Sequence, residues 1–90
     1  MIKHQRLLEL VRYNEQTGLF ISKETNTIAD TGLEGFKRVV VDDESYTSHK
    51  LAWFYCYEEW RDDVLHINKN KGDNSIANLR LFPTFDGRIE

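Results

Sequence analysis

A single cysteine, Cys56, stands among the 90 residues. No internal disulfide can form, and no zinc site built on cysteines can be assembled. A reducing compartment suits such a chain, and a cytoplasmic location is the expectation. Long hydrophobic runs are missing as well. No stretch approaches the roughly 18 apolar residues of a membrane span, and Met1-Ile2-Lys3-His4-Gln5-Arg6 is too polar to open a signal peptide. An excess of positive charge is also lacking. Twelve Lys and Arg face fifteen Asp and Glu, a formal net charge of −3. The chain as a whole would be poorly steered toward nucleic acid.

What is present is an ordinary globular composition, 40% hydrophobic and 30% charged. One domain over residues 1–90 is expected, with a small core and modest stability. Five Phe, four Tyr and two Trp supply much of the area that core can bury. Charge is unevenly placed. Residues 42–63 carry seven acids against Lys50 and Arg61, and residues 64–80 carry Lys69, Lys71 and Arg80 against Asp73. The first segment offers an acidic face, with Glu58, Glu59, Asp62 and Asp63 as a candidate partner-binding cluster or simply a solvated surface. The second offers a loop that can meet phosphate.

Local signals predict the elements. Residues 1–12 read as a short helix or extended lead-in. Tyr13 to Gly18 reads as a turn, with Asn14 at its start and Gly18 supplying a positive φ. Strands are expected at Leu19–Ile21 and at Phe36–Val41, separated by a polar loop over 22–35. Asp42 to Ser45 forms a hairpin turn, and Tyr46 starts the returning strand. Ser48 is placed to cap a helix over 49–59. Leu51, Ala52, Phe54, Tyr55 and Cys56 form its inner side, and Trp53, Tyr57 and Trp60 form a second, core-facing aromatic stripe. A short strand at Val64–Ile67, an Asn/Gly loop over 68–74, a helical turn at Ser75–Leu79 and a strand at Arg80–Phe82 follow. Pro83 ends that strand, and Thr84 could cap a final helix. The fold class is therefore α+β, a small antiparallel sheet and helix leading into a strand–loop–strand unit.

Several short motifs occur in a fixed order: Tyr13-Asn14-x-x-Thr17-Gly18-Leu19-Phe20, Gly35-Phe36-Lys37-Arg38-Val39, His49-Lys50-Leu51-Ala52-Trp53, Trp60, His66-Ile67-Asn68, and Asp73-Asn74-x-Ile76-x-Asn78-Leu79-Arg80. Each is weak alone. Together they cover nearly the whole chain and resemble the HNH endonucleases found as free-standing or intron-borne genes in phages. The resemblance implies a ββα-metal core that cuts DNA with one divalent ion, Mg²⁺ or Mn²⁺. It implies that His66 would take a proton from the attacking water, and that Asn74 would buttress His66 or hold the loop. His49, Lys50, Lys69, Lys71, Asn78 and Arg80 become candidates for nucleic-acid contact. The asparagines more often fix loop and cap geometry than read bases, and His49 reads first as a helix-start residue packed under the loop.

The departures fall on the metal. Leu65 stands where the family places a metal-binding Asp, and a hydrocarbon side chain cannot ligate a hard cation. The second ligand position falls near Gly87, with Asp86 as a substitute only if the register slips by one. Lys69 and Glu58 stand where the family has glycines, and Arg61 where it has proline. These changes imply a degenerate member, without a cofactor. It would bind a macromolecular target and inhibit or regulate a host protein or ribonucleoprotein complex that processes nucleic acid or serves in defence, a CRISPR-type complex for example. The rival expectations are an active metal-dependent nicking endonuclease and a DNA-binding module without chemistry.

Overall fold

The computed structural model describes residues 1–32 and 35–82. Helix α1 covers His4–Leu10, and strands β1 (Val11–Asn14) and β2 (Leu19–Ser22) form a hairpin after it. Strands β3 (Asp30–Thr31), β4 (Arg38–Val41) and β5 (Glu44–Thr47) form an antiparallel three-stranded sheet. Helix α2 spans Ser48–Tyr57. Strands β6 (Val64–His66) and β7 (Leu79–Leu81) pair antiparallel, with a 3₁₀ turn at Ile76–Asn78 before β7. The mixed α+β class is as the sequence implies. The ββ part of the core is in place, while Pro83, Thr84, Asp86 and Gly87 lie outside the described residues.

Turn chemistry accounts for most connections. Asn14 Oδ1 accepts from the backbone N–H groups of Gln16 and Thr17, and Gly18 adopts φ +75°. This closes the first hairpin. The turn is shorter than the sequence suggests, because Tyr13 and Asn14 belong to β1 and pair with Phe20 and Leu19. Asp42 and Asp43 both take positive φ, 48° and 64°. That is the two-residue turn whose twist suits a tight hairpin, so β5 begins already at Glu44. Within the polar segment 22–35, Asp30–Thr31 pairs with β4, and Asp30 Oδ1 accepts from Phe20 N–H at 2.6 Å. A side chain thus ties the first hairpin to the second sheet.

The core gathers Leu7, Val11, Phe20, Val39, Leu51, Ala52, Phe54, Val64 and Leu79. Strand β4 alternates, with Val39 and Val41 inside and Val40 outside. Helix α2 packs against α1, β4, β5 and β6. Trp53 and Trp60 pack against the core as expected of the aromatic stripe, but Tyr57 is exposed. Cys56 is half-buried, and burial pushes its thiol up to about 11, so it is a poor nucleophile. Ser48 does not cap α2. It is the first helical residue and fully buried, while Thr47 holds the cap position without a side-chain bond. Among the described residues, no helix is long and apolar enough to cross a membrane.

Two left-handed residues fall where the resemblance expects glycine. Glu58, φ 57°, ends α2, its N–H bonding the Phe54 carbonyl, and Lys69, φ 64°, opens the 68–74 loop. Non-glycine side chains in this conformation cost about 1 kcal/mol or more. Glu58→Gly and Lys69→Gly are each expected to raise stability by about 1 kcal/mol, read as a higher urea midpoint at unchanged slope. Lower midpoints would mean that the two side chains make contacts outweighing their strain.

Candidate functional site

The packing of α2 on β6 brings together residues far apart in sequence. His49, in the first turn of α2, and His66, the last residue of β6, have ring centroids 4.8 Å apart. Asn74 Oδ1 accepts from His66 Nε2 at 2.6 Å. An oxygen acceptor assigns the ring proton to Nε2 and leaves Nδ1 as the acceptor nitrogen. Asn74 is 2% exposed and is held from below. Its carbonyl accepts from the Tyr13 hydroxyl, and Ile76 N–H donates to the Glu15 carbonyl at 3.0 Å. Gly18 lies against it so closely that a Cβ there would stand 2.2 Å from the Asn74 carbonyl carbon. Burial pushes the Tyr13 hydroxyl well above its ordinary range, so it stays a donor. The first hairpin is thus the base on which the His66 partner rests.

The loop is wired by its amides. Asn78 Oδ1 accepts from Asn68 N–H at 3.0 Å, while Asn78 Nδ2 donates to Asn68 Oδ1 at 3.0 Å and to the Asp73 carbonyl at 2.8 Å. Asp73 accepts from Ser75 Oγ at 2.7 Å and from Asn68 Nδ2 at 3.1 Å. These bonds hold its carboxyl below the usual carboxylate range, the Ser75 hydroxyl first. Asn78 therefore faces the loop interior and is a loop brace in this geometry.

One residue at the site was not singled out from the sequence. Phe36 precedes β4 instead of beginning it, and its ring stacks on His49 (centroids 4.9 Å, 21° between planes) and on His66 (6.0 Å, 27°). Lys71 Nζ lies 4.8 Å from the Phe36 centroid. Phe36, Val64, Leu65, His66, Lys69 and Lys71 line an open pocket of about 370 Å³. The available signal was an aromatic directly before Lys37-Arg38, a ring interleaved with cations. His49 is 4% exposed, and burial, with His66 and Lys50 nearby, lowers its pKa to about 4, so it is neutral near pH 7.

Other candidates lie elsewhere. Lys50 turns to Asp62 at 3.6 Å and does not line the pocket. Arg80 is exposed on β7 opposite Leu65, again outside the pocket lining. In the acidic cluster, Arg61 pairs with Asp63 at 2.9 Å and with Glu59 at 3.5 Å. Asp62 accepts from the Trp60 indole N–H at 3.1 Å besides its pairing with Lys50. Glu59, Asp62 and Asp63 thus each have a cation beside them, Arg61 or Lys50.

Among the described residues, the donors beside His66 do not fit a hard divalent ion. Such an ion needs oxygen ligands, and the residue beside His66 is a leucine lining an apolar pocket. Among the described residues no group of three or more His, Cys, Asp or Glu is placed to hold a metal. In comparison with known proteins, no curated protein and no solved structure matches the chain. A family model does, over residues 46–84, which run from β5 through α2, the histidine loop and β7, and it describes HNH endonucleases. Over that segment, with its histidine, asparagine loop and paired strands, the chain is similar to the HNH endonuclease family.

Proposed function

We propose that this chain is an HNH domain that has lost metal-dependent cutting and acts by binding a macromolecular target, so inhibiting or regulating a host nucleic-acid-processing or defence complex. The observation that carries the reading is Leu65. It occupies the ligand position beside His66 and contributes hydrocarbon to the pocket there. Gly87, at the second ligand position, offers no side chain either. The paired but still negative 58–63 segment is the candidate face for a basic partner.

One feature favours the rival, a nicking endonuclease. The His66–Asn74 bond and its support from Tyr13 and Gly18 keep a histidine fixed with Nδ1 as acceptor, as a general base requires. A supercoiled-plasmid assay with Mg²⁺ or Mn²⁺ separates the two. No nicking is expected from the wild type. Metal-dependent nicking that disappears in His66→Ala would overturn the reading. A second arm needs no activity. Mn²⁺ should leave the His66 ring signals of the wild type sharp in NMR spectra and broaden them in Leu65→Asp, which restores one hard oxygen. Broadening in the wild type at the same Mn²⁺ concentration would show that a site has survived without Leu65's help.

A further inference from the structure

We propose that the pocket beside His66 takes one unpaired nucleobase of a single-stranded nucleic acid, with Phe36 as the stacking ring and Lys69 and Lys71 as contacts to the adjoining phosphates. The proposal rests on the non-cutting reading only in treating the site as a place of binding. Its own grounds are three. Phe36 is 45% exposed although it is a large apolar ring held in a fixed stack on His49 and His66, so its position is set before any ligand arrives. The pocket is bounded by that ring and by Val64 and Leu65, and about 370 Å³ is ample for a base.

The third ground is charge. The pocket lining holds Lys69 and Lys71 and no acid. Lys37 lies outside the lining but near the same loop, its Cε 3.9 Å from where a Cβ on Gly72 would stand, and its ammonium donates to the Gly32 carbonyl. Asp73, the acid in this loop, has its carboxylate engaged by Ser75 and Asn68. The rim is therefore locally positive on a chain of net charge −3. An aromatic ring flanked by cations is the arrangement that holds unpaired bases, because every base has a face to stack and every nucleotide a phosphate. A base inside a duplex presents only its edge, so a single strand is selected over a duplex. Lys71 Nζ, now over the ring, would yield that place to the base and turn to its phosphate.

Fluorescence anisotropy with a short labelled oligothymidylate, in EDTA and at low salt, tests this. The expected order is oligothymidylate first, with the abasic oligonucleotide of equal length and the duplex each about tenfold weaker. Phe36→Leu, which keeps apolar bulk without an aromatic face, should lose about tenfold on the oligothymidylate and nothing on the abasic strand. Phe36→Trp should retain binding, with its indole fluorescence quenched by the stacked base. Lys69→Glu with Lys71→Glu should weaken both single strands and flatten the salt dependence. The proposal is overturned if Phe36→Leu, shown folded by its thermal transition, binds as the wild type does. Equal binding of abasic or duplex probes overturns it too, as does no binding of any strand at low salt. Because EDTA is present throughout, none of these outcomes depends on whether the chain cuts; nicking in the metal assay would remove the non-cutting reading alone.

Discussion

Gly18→Ala is expected to lower stability by about 3 kcal/mol and to release the His66 ring together with it. Gly18 has φ +75°, where a Cβ costs about 1 kcal/mol or more from its own backbone. The new methyl would also stand 2.2 Å from the Asn74 carbonyl carbon and 2.3 Å from the Ser75 nitrogen. Both are backbone atoms, so the hairpin and the 74–75 segment must separate, and forced displacements of this kind cost about 1–3 kcal/mol. A domain of this size has a total stability on the order of 5–15 kcal/mol, so the loss is a large share. The functional consequence follows from geometry. Asn74 carries the acceptor for His66 Nε2, and its carbonyl takes the Tyr13 hydroxyl. Urea unfolding measures the first effect, and the ¹⁵N shifts of the His66 ring report whether Nε2 keeps its proton. An unchanged midpoint would show that the close approach of Gly18 to Asn74 does not exist in solution.

Acidification should weaken the fold by about 3 kcal/mol through His49 alone. Burial lowers its pKa to about 4 from the ordinary 6.5, with His66 and Lys50 adding repulsion. Below 6.5 the unfolded chain takes up a proton that the folded chain refuses, so protonation favours unfolding. The contribution is complete above pH 6.5, falls as pH drops through that value, and is gone by about 4. A fall from 6.5 to about 4 corresponds to about 3 kcal/mol. Asp30 works the other way. Burial raises its carboxyl above the usual range, against the pull of the Ser48 hydroxyl and the Phe20 N–H, so its protonation favours the fold relative to the unfolded chain. His49→Gln isolates the histidine. Chemical denaturation from pH 7 to 4 should show a steep loss in the wild type and a shallower one in the variant. Equal slopes would assign the loss to carboxylates such as Asp42 and Asp63, which guanidinium partners hold below their usual range.

Much of this architecture can be read along the chain because it is set by short-range forces. Asn14 bonding two N–H groups within three residues, Gly18 at positive φ, the Asp42-Asp43 turn and the alternation of Val39, Val40 and Val41 each depend on neighbours a few positions away. So does the choice of helix for residues 48–57, where a continuous apolar face follows a change from β-branched to helix-tolerant residues. The ordered motifs from Tyr13 to Arg80 point to the family, and the match over residues 46–84 agrees. The two-residue strand Asp30–Thr31 escapes such reading. It is too short to have a period, and it is defined by pairing with β4 and by a side-chain bond to Phe20.

The candidate site divides in the same way. Leucine at position 65, the histidine after it and the asparagines of the loop are properties of the sequence by itself. They determine which atoms are available and that position 65 supplies no carboxylate. Only the tertiary structure decided that Phe36 leaves its strand to stack on His49 and His66, that Lys50 turns to Asp62, and that Gly18 presses against Asn74. The physical reason is separation along the chain. Phe36 and His66 are thirty positions apart, as their numbers show, and Gly18 and Asn74 further still. No local backbone preference can encode such contacts. They exist because tertiary packing, that of α2 on β4 and β6 included, brings separate segments of the chain together.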